Sequence, residues 1–247
     1  MFGYGFGYLL ISLAFAYHCI RTGRPWWWLL VIGMLPGIGW AAYVIFAVLP
    51  EMFGSSSARR FADNVANVAD PGRSYREKLR DVERVGSADA KRALAEECIK
   101  RGRFQDAVEL YQTAMSGPLG EGDSTLLRGM ARAKLLAGDG QGSVAGFEKM
   151  KVVDKAAFDA DAELDYARAL TLVGRTDDAL RQFEQVVPRY PGEEARCRYA
   201  VLLQSIGRQE AAQGLFREIV DSVRHAPGYY RSRQREWYRI ARQQVTG

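Results

Sequence analysis

Residues 94–114 (LAEECIKRGRFQDAVELYQTA) decide the fold, because their pattern returns three more times before the chain ends. Gly102, near the middle of this stretch, recurs as Gly138, Gly174 and Gly207, at separations of 36, 36 and 33 residues. A period of this length is typical of proteins that stack repeated pairs of short helices. Each copy is therefore predicted to form two helices, with the glycine supplying the permissive turn between them.

Small and large residues keep fixed places around these glycines. Seven residues before the glycine stands an alanine: Ala95, Ala131, Ala167 and Ala200. Nine residues after it stands an aromatic residue: Tyr111, Phe147, Phe183 and Phe216. Five residues after it stands a small residue: Ala107, Ser143, Ala179 and Ala212. We expect the small residues where helices cross closely and the aromatics in the gaps between stacked hairpins.

This arrangement resembles the tetratricopeptide repeat (TPR) family over about residues 88–228. The chain departs from the family pattern in lacking the tryptophan of each first helix, and the family proline that Pro191 supplies after repeat three is absent after repeat two. The glycine-rich residues 138–142 predict that repeat two is the most loosely packed. The resemblance implies an all-α solenoid of about four repeats, closed at its C-terminal end by a capping helix.

The first 53 residues have a different composition. Their only charged side chains are Arg21, Arg24 and Glu51. Two apolar spans, residues 2–20 and 26–49, each approach the roughly 20 residues that a helix needs to cross a bilayer. We predict a transmembrane helical hairpin over residues 1–53 that associates with membrane lipids. A cleaved signal peptide is disfavoured, because no basic residue precedes the first span and a second span follows at once.

The second span carries a further resemblance in residues 28–43 (WLLVIGMLPGIGWAAY). It is similar to the two-helix membrane segment at the amino terminus of bacterial cardiolipin synthases and other phospholipase D-like proteins, through four residues: Trp28, Pro36, Gly39 and Tyr43. A kinked, tightly packed hairpin would explain the same residues. The catalytic His-x-Lys-x-x-x-x-Asp motifs of that group are missing, because Cys19 and Ile20 follow His18, and Ala226 and Pro227 follow His225. We expect no enzyme activity.

Residues 54–87 are predicted to form a linker and a helix that caps the first repeat. Tyr75, Leu79, Val82 and Val85 fall on one face of that helix. Hairpin and array together resemble an architecture of bacterial membrane proteins, which implies a multi-pass protein of the bacterial inner (cytoplasmic) membrane. Basic residues after the second span outnumber those in the hairpin loop, which favours a cytoplasmic array.

The last segment, residues 229–247, is predicted to form one basic closing helix whose inner residues are Tyr230, Trp237, Ile240 and Ala241. Five arginines follow its outer face: Arg231, Arg233, Arg235, Arg239 and Arg242. They favour either a solvated cap or contact with anionic lipid headgroups. A nucleic-acid partner is disfavoured, because the net charge is only +5 and no recognition motif accompanies the arginines.

Residue types that carry cofactor or metal chemistry form no recognisable motif. The three cysteines are scattered without a Cys-x-x-Cys pair, so the sequence predicts no metal site. Residues 138–142 are rich in glycine, but no predicted strand precedes them and Ser143, rather than lysine, follows. We therefore expect no cofactor.

The inner face of the array is the predicted partner-binding groove. Placing each first helix by its alanine puts six residues on or beside it: Arg92, Lys100, Arg128, Arg132, Arg168 and Leu172. Guanidinium groups bind carboxylates in a bidentate way, so the row favours an acidic partner segment. Pairing of these arginines with acids of the array is the alternative. TPR arrays that bind carboxyl-terminal peptides also use asparagines, which are missing here.

Two functions follow from these features. The first is a membrane-anchored, non-catalytic adaptor that holds a protein partner in its groove. The second is an accessory subunit of a membrane enzyme in lipid or envelope metabolism, docked through the hairpin. Exchange of the hairpin for an unrelated anchor would separate them.

Overall fold

The structure, a computed structural model, describes Ser12, Tyr17, Arg21, Asp70 and residues 72–117 and 122–246. The chain divides into two compact units, Met1–Ser74 and Tyr75–Gly247. No helix among the described residues is long and apolar enough to cross a membrane. The predicted hairpin of residues 1–53 lies outside the described residues, apart from Ser12, Tyr17 and Arg21, which are helical.

Four helical hairpins follow one another in the larger unit. They are α2 (Ala88–Lys100) with α3 (Phe104–Met115), α4 (Ser124–Leu136) with α5 (Gly140–Val153), α6 (Ala160–Leu172) with α7 (Thr176–Val186), and α8 (Glu194–Ser205) with α9 (Gln209–His225). They are preceded by α1 (Arg73–Val85) and followed by α10 (Gly228–Arg233) and α11 (Arg235–Thr246). The prediction of an all-α solenoid of four repeats is confirmed.

The turn inside each hairpin has the same geometry four times. Gly102, Gly138, Gly174 and Gly207 have φ of 74°, 86°, 74° and 81°, a region that residues with a Cβ rarely adopt. The N–H of the next residue donates to the carbonyl five residues earlier, as Arg103 does to Cys98 at 2.9 Å. This is the bond that closes a helix through a glycine in the left-handed conformation. The predicted role of the glycines is confirmed.

The residues predicted to pack between helices are all buried. The alanines seven residues before each glycine are fully inaccessible, and the aromatics nine residues after it are at most 2% exposed. Around repeats two to four the aromatic rings meet one another, as Phe147 does with Phe158 and Tyr166 at ring-centre distances near 6 Å. The buried residues form two clusters, one around the first repeat and a larger one that runs from repeat two to the closing helices.

Repeat two is closely packed, so the prediction that it is the loosest repeat is wrong. A Cβ placed on Gly146 would lie 2.8 Å from the Cβ of Ala131, and one on Gly140 would lie 2.6 Å from Val173. The glycines of this repeat thus permit helices to approach each other rather than loosening them. Composition alone could not distinguish these two uses of glycine.

The N-terminal end of the larger unit is covered by α1. Tyr75, Leu79 and Val82 pack against the core of the first repeat, which is the contact that a capping helix makes. Val85, predicted for the same face, is instead 62% exposed. The helix ends at Val85 and the chain turns at Gly86, where φ is 63°, so this last residue no longer lies over the repeat.

The C-terminal end is covered by two helices, so the prediction of one continuous closing helix is wrong. The break between α10 and α11 falls at Gln234, whose side-chain Oε1 accepts a hydrogen bond from the backbone N–H of Glu193 at 3.0 Å. Ala241 is fully buried, as predicted, and Tyr230, Trp237 and Ile240 pack partly buried against the core.

Candidate partner-binding face

The inner face is formed by side chains of the first helices α2, α4, α6 and α8. On α2 it comprises Arg92, Glu96 and Lys100, which are four residues apart and so share one side of the helix. The equivalent residues are Arg128, Arg132 and Leu136 on α4, and Leu164, Arg168 and Leu172 on α6. The repeat thus places one residue of each helix beside its counterpart in the next.

A cleft of about 340 Å³ opens on this face between α2 and α4. Its lining consists of Glu96, Ile99, Lys100, Tyr111, Thr125, Arg128, Gly129 and Arg132. The structure therefore brings together Lys100, Arg128 and Arg132 of the predicted groove. Its lining carries three cationic side chains and one carboxylate, and two of the cations, Arg128 and Arg132, also contact acids outside the lining.

Arg132 and Arg168 both approach the buried carboxylate of Asp165. The Arg168 guanidinium donates to Asp165 Oδ1 at 2.6 Å, whereas Arg132 Nε stays 3.7 Å from Oδ2. Burial raises the pKa of Asp165 above its usual value, although both arginines act to lower it. Arg168 is thus committed to Asp165. The side chain of Arg132 remains 53% exposed and free to meet a partner.

The other predicted cations of the groove differ in how firmly they are held. Arg128 on α4 reaches the next repeat, where its Nη1 lies 2.8 Å from Asp159 Oδ2. Arg92 pairs with Glu96 at 2.8 Å and with Asp89 at 3.3 Å on its own helix, and it does not line the cleft. Lys100 lies 3.9 Å from Glu97, and its side chain is 68% exposed.

Arg92, Arg128 and Arg168 therefore fit the alternative explanation of the arginine row, because each is paired with an acid of the array. Lys100 and Arg132 make only long contacts, so they are the cations best placed to bind something else. Sequence reasoning included both residues but could not separate them from the rest. The distinction depends on which carboxylates the neighbouring helix presents.

An apolar stretch continues the inner face beyond the cleft. Leu172 on α6 is 52% exposed, and Val201 on α8, at the place of Arg168 in the repeat, is 46% exposed. Leu172 was predicted for this face, and Val201 was missed. The repeat spacing would have identified Val201, as well as Glu96, because both share the position of Arg132 and Arg168.

The five arginines of α10 and α11 (Arg231, Arg233, Arg235, Arg239 and Arg242) are all exposed. Within the described part of the chain they form no ion pair with an acidic side chain, unlike the arginines of the inner face. Beside them, the Arg198 guanidinium lies 5.0 Å from the ring centre of Trp237. This end of the array therefore presents uncompensated positive charge.

Two of the three cysteines, Cys98 and Cys197, lie in the part of the chain that the structure describes. Cys98 and Cys197 are buried free thiols, and burial raises the pKa of Cys197 to about 11, which keeps the unreactive thiol form. Among the residues that the structure describes, no three His, Cys, Asp or Glu side chains are grouped to hold a metal ion.

Comparison with known proteins shows similarity in structure alone. No family model matches the chain, and no curated protein matches its sequence. The chain is similar to TTC0263, a thermophilic TPR protein of Thermus thermophilus, with 14% identity, a TM-score of 0.58, and coverage of 76% of this chain and 97% of that one. The fold is therefore that of a TPR solenoid.

Two further solved structures agree. MamA AMB-1 has 15% identity and a TM-score of 0.50 over 71% of this chain and 97% of its own. A putative kinesin light chain of Podosopora anserina with nearly identical TPR-like repeats has 19% identity and a TM-score of 0.50 over 69% of this chain and 95% of its own. At such identities, the likeness establishes the fold and no activity.

Proposed function

We propose that the chain is a membrane-anchored, non-catalytic adaptor whose inner face binds an acidic segment of a protein partner. The observation that carries this proposal is the cleft between α2 and α4, where Lys100, Arg128 and Arg132 face a single acid, Glu96. Glu96 is itself paired with Arg92 at 2.8 Å. A carboxylate that enters the cleft thus meets cations whose charge is only partly compensated.

The rest of the inner face suits an extended protein segment. Leu172 and Val201 offer exposed apolar surface beyond the cleft, so a partner with acidic residues followed by apolar ones would match both parts. Stacked helical hairpins hold such a surface rigidly, because each repeat is braced by its neighbours. This reduces the entropy that binding costs.

The membrane anchor in this proposal is residues 1–53, whose composition matches two apolar spans. We place the protein in the bacterial inner membrane with its array on the cytoplasmic side, because basic residues are concentrated after the second span. The arginines of α10 and α11 would then contact anionic headgroups, each contributing about 1 kcal/mol near the surface.

The second candidate function is an accessory subunit of a membrane enzyme in lipid or envelope metabolism. It is favoured by residues 28–43 and their likeness to the membrane segment of phospholipase D-like proteins. In this case the hairpin, and not the inner face, makes the main contact with the partner.

The two candidates are separated by pulldown of the full chain from detergent-solubilised membranes. We expect Lys100→Glu with Arg132→Glu to abolish recovery of the partner, because these are the two cations of the cleft that make only long contacts within the array. Arg231→Glu with Arg239→Glu is the matched control, since it changes the charge equally at exposed positions outside the cleft. Recovery should also decline as salt rises, because exposed ion pairs are screened over about 8–10 Å.

A second arm replaces residues 1–53 with an unrelated two-span anchor. The adaptor proposal predicts that partner recovery survives this exchange. Recovery that is lost with the exchange, and unaffected by the reversal in the cleft, would instead establish the accessory-subunit function.

A further inference from the structure

The floor of the cleft is formed by a pair of residues that occurs in one repeat only. The aromatic residue that follows each glycine is tyrosine in repeat one, Tyr111, and phenylalanine in the other three. The facing position on the next first helix holds Gly129 opposite Tyr111, whereas the equivalent positions hold Asp165 and Arg198. Tyrosine and glycine thus occur together.

Gly129 is what allows the phenol to reach the inner face. A Cβ on Gly129 would lie 2.3 Å from Cζ of Tyr111 and 2.5 Å from its hydroxyl, closer than atoms can approach. The absent side chain therefore leaves the space that the hydroxyl occupies. As a result, a residue of the second helix α3 lines the cleft between two first helices.

The hydroxyl of Tyr111 has no hydrogen-bond partner within the described part of the chain, although the residue is only 2% exposed. Although the ring is buried, the hydroxyl oxygen itself opens into the cleft, so it can form a hydrogen bond with a group that enters from outside. Burial, with Glu96 nearby, raises the pKa of Tyr111 to about 12. The hydroxyl therefore stays protonated and able to donate.

The surroundings of the hydroxyl determine which ligand fits. Lys100, Arg128 and Arg132 line the same cleft, and the one acid, Glu96, accepts a hydrogen bond from Arg92 at 2.8 Å. A volume of about 340 Å³ is at the small end of ligand pockets, enough for a side chain or a chain end. A donor hydroxyl in a cleft that cationic side chains also line is complementary to a carboxylate.

We propose that this cleft is a carboxylate-binding subsite, in which the Tyr111 hydroxyl donates a hydrogen bond to a carboxylate of the bound segment while Lys100 and Arg132 neutralise its charge. The inference rests on the proposed function and names the part of the partner that the face recognises. The carboxylate comes from an Asp or Glu side chain or from the end of the partner chain. The alternative is that Tyr111 and Gly129 serve packing only, in which case the hydroxyl binds no ligand.

The test uses an array of random-sequence decapeptides, each synthesised with a free C-terminal carboxylate and also as the amide. The full chain, purified in a mild detergent, is applied as wild type and as Tyr111→Phe. The wild type should bind preferentially to peptides that are rich in Asp and Glu or that end in a free carboxylate. For these peptides, Tyr111→Phe should weaken affinity about tenfold, the usual effect of losing one hydrogen bond to a charged group.

The control is Tyr199→Phe, which also removes one phenol but outside the cleft, where it donates to Glu184 at 3.2 Å. It should leave peptide affinity unchanged, and Tyr111→Phe should retain the wild-type helix content. If the wild type binds the free-acid peptides but not the amides, the subsite recognises a chain end. If it still binds Asp- and Glu-rich peptides in the amide set, the subsite recognises side chains. Either result supports the subsite.

Two outcomes would overturn the inference. If the wild type prefers acidic peptides and Tyr111→Phe binds them equally well, the hydroxyl has no role and the adaptor proposal still stands. If the wild type shows no preference for a carboxylate of either kind, the subsite and the acidic-segment proposal both fail.

Discussion

Ser143 stands five residues after the glycine of repeat two. The same position holds alanine in the other three repeats: Ala107, Ala179 and Ala212. The side chain of Ser143 is fully buried, and its Oγ has no hydrogen-bond partner in the described structure. A buried, unsatisfied hydroxyl costs about 1–3 kcal/mol. We therefore expect Ser143→Ala to increase the free energy of unfolding by about 1 kcal/mol, measured by urea denaturation followed through helix content.

The control is the same substitution at Ser87. Its Oγ accepts a hydrogen bond from the Ala90 N–H at 3.2 Å and thereby caps the N-terminus of α2. Loss of such a cap lowers stability by about 1 kcal/mol, so the two substitutions should have opposite signs. A decrease in stability for Ser143→Ala would show that its hydroxyl is satisfied.

Single residues also show which features could be predicted from the sequence and which could not. Gly102 and Ala95 could be assigned because a left-handed turn and a close helix crossing each permit few residue types. That Arg132 and Arg168 share Asp165 could not be predicted, because this contact depends on how far the side chains reach between α4 and α6. Tyr111 was assigned to packing alone, because its role in the cleft appears only with Gly129 beside it.

At the scale of elements, Glu193 contributes polar contacts to the closing pair α10 and α11, in addition to their apolar packing. Glu193 accepts hydrogen bonds from Ser222 Oγ at 2.6 Å and Tyr230 Oη at 3.1 Å, and its N–H donates to Gln234 Oε1. Gln234→Ala would leave this buried N–H unsatisfied. We expect it to lower the free energy of unfolding by about 1–3 kcal/mol and to increase hydrogen exchange first in α11.

Gln243→Ala is the matched control, because Gln243 lies exposed on α11. It should leave both stability and exchange close to wild type. Equal effects of the two substitutions would mean that Gln234 does not fasten the closing pair. The helical periodicity of residues 229–244 gave no sign of the break at Gln234, whose side chain bonds to a residue 41 positions away along the chain.

The attachment of α1 should depend on pH through Glu97. Burial acts to raise the pKa of Glu97, but the hydrogen bond from Arg101 and the charges of Lys78 and Arg101 outweigh it and hold that pKa below its usual value. Lys78 lies on α1, 3.5 Å from Glu97 Oε2. Because the folded pKa is lowered, the stabilisation is complete above the unfolded value near 4.3 and is lost as pH falls through the folded one.

We therefore expect hydrogen exchange of α1, corrected for its intrinsic pH dependence, to rise on acidification below about pH 4. Glu97→Gln should flatten this profile, because it removes the titrating group. An identical profile in the wild type and in Glu97→Gln would place the acid sensitivity of α1 elsewhere.

At the scale of the whole molecule, positive charge is used in two ways. On the inner face Arg92, Arg128 and Arg168 are paired with acids of the array, while Lys100 and Arg132 remain available beside the cleft. The arginines of α10 and α11 form no ion pair in the described part of the chain. Sequence periodicity predicted where each group lies, but only the structure separates structural arginines from available ones.

The most direct test of the adaptor account is photocrosslinking in native membranes from two exposed positions of the full chain. A benzophenone amino acid replaces either Leu172, on the inner face, or Val152, on the second helix α5 outside it. We expect a covalent adduct with a partner protein from position 172 and none from position 152. Arg132→Glu or raised salt should remove the adduct. Equal adducts from both positions, or an adduct at 172 that persists with Arg132→Glu, would contradict it.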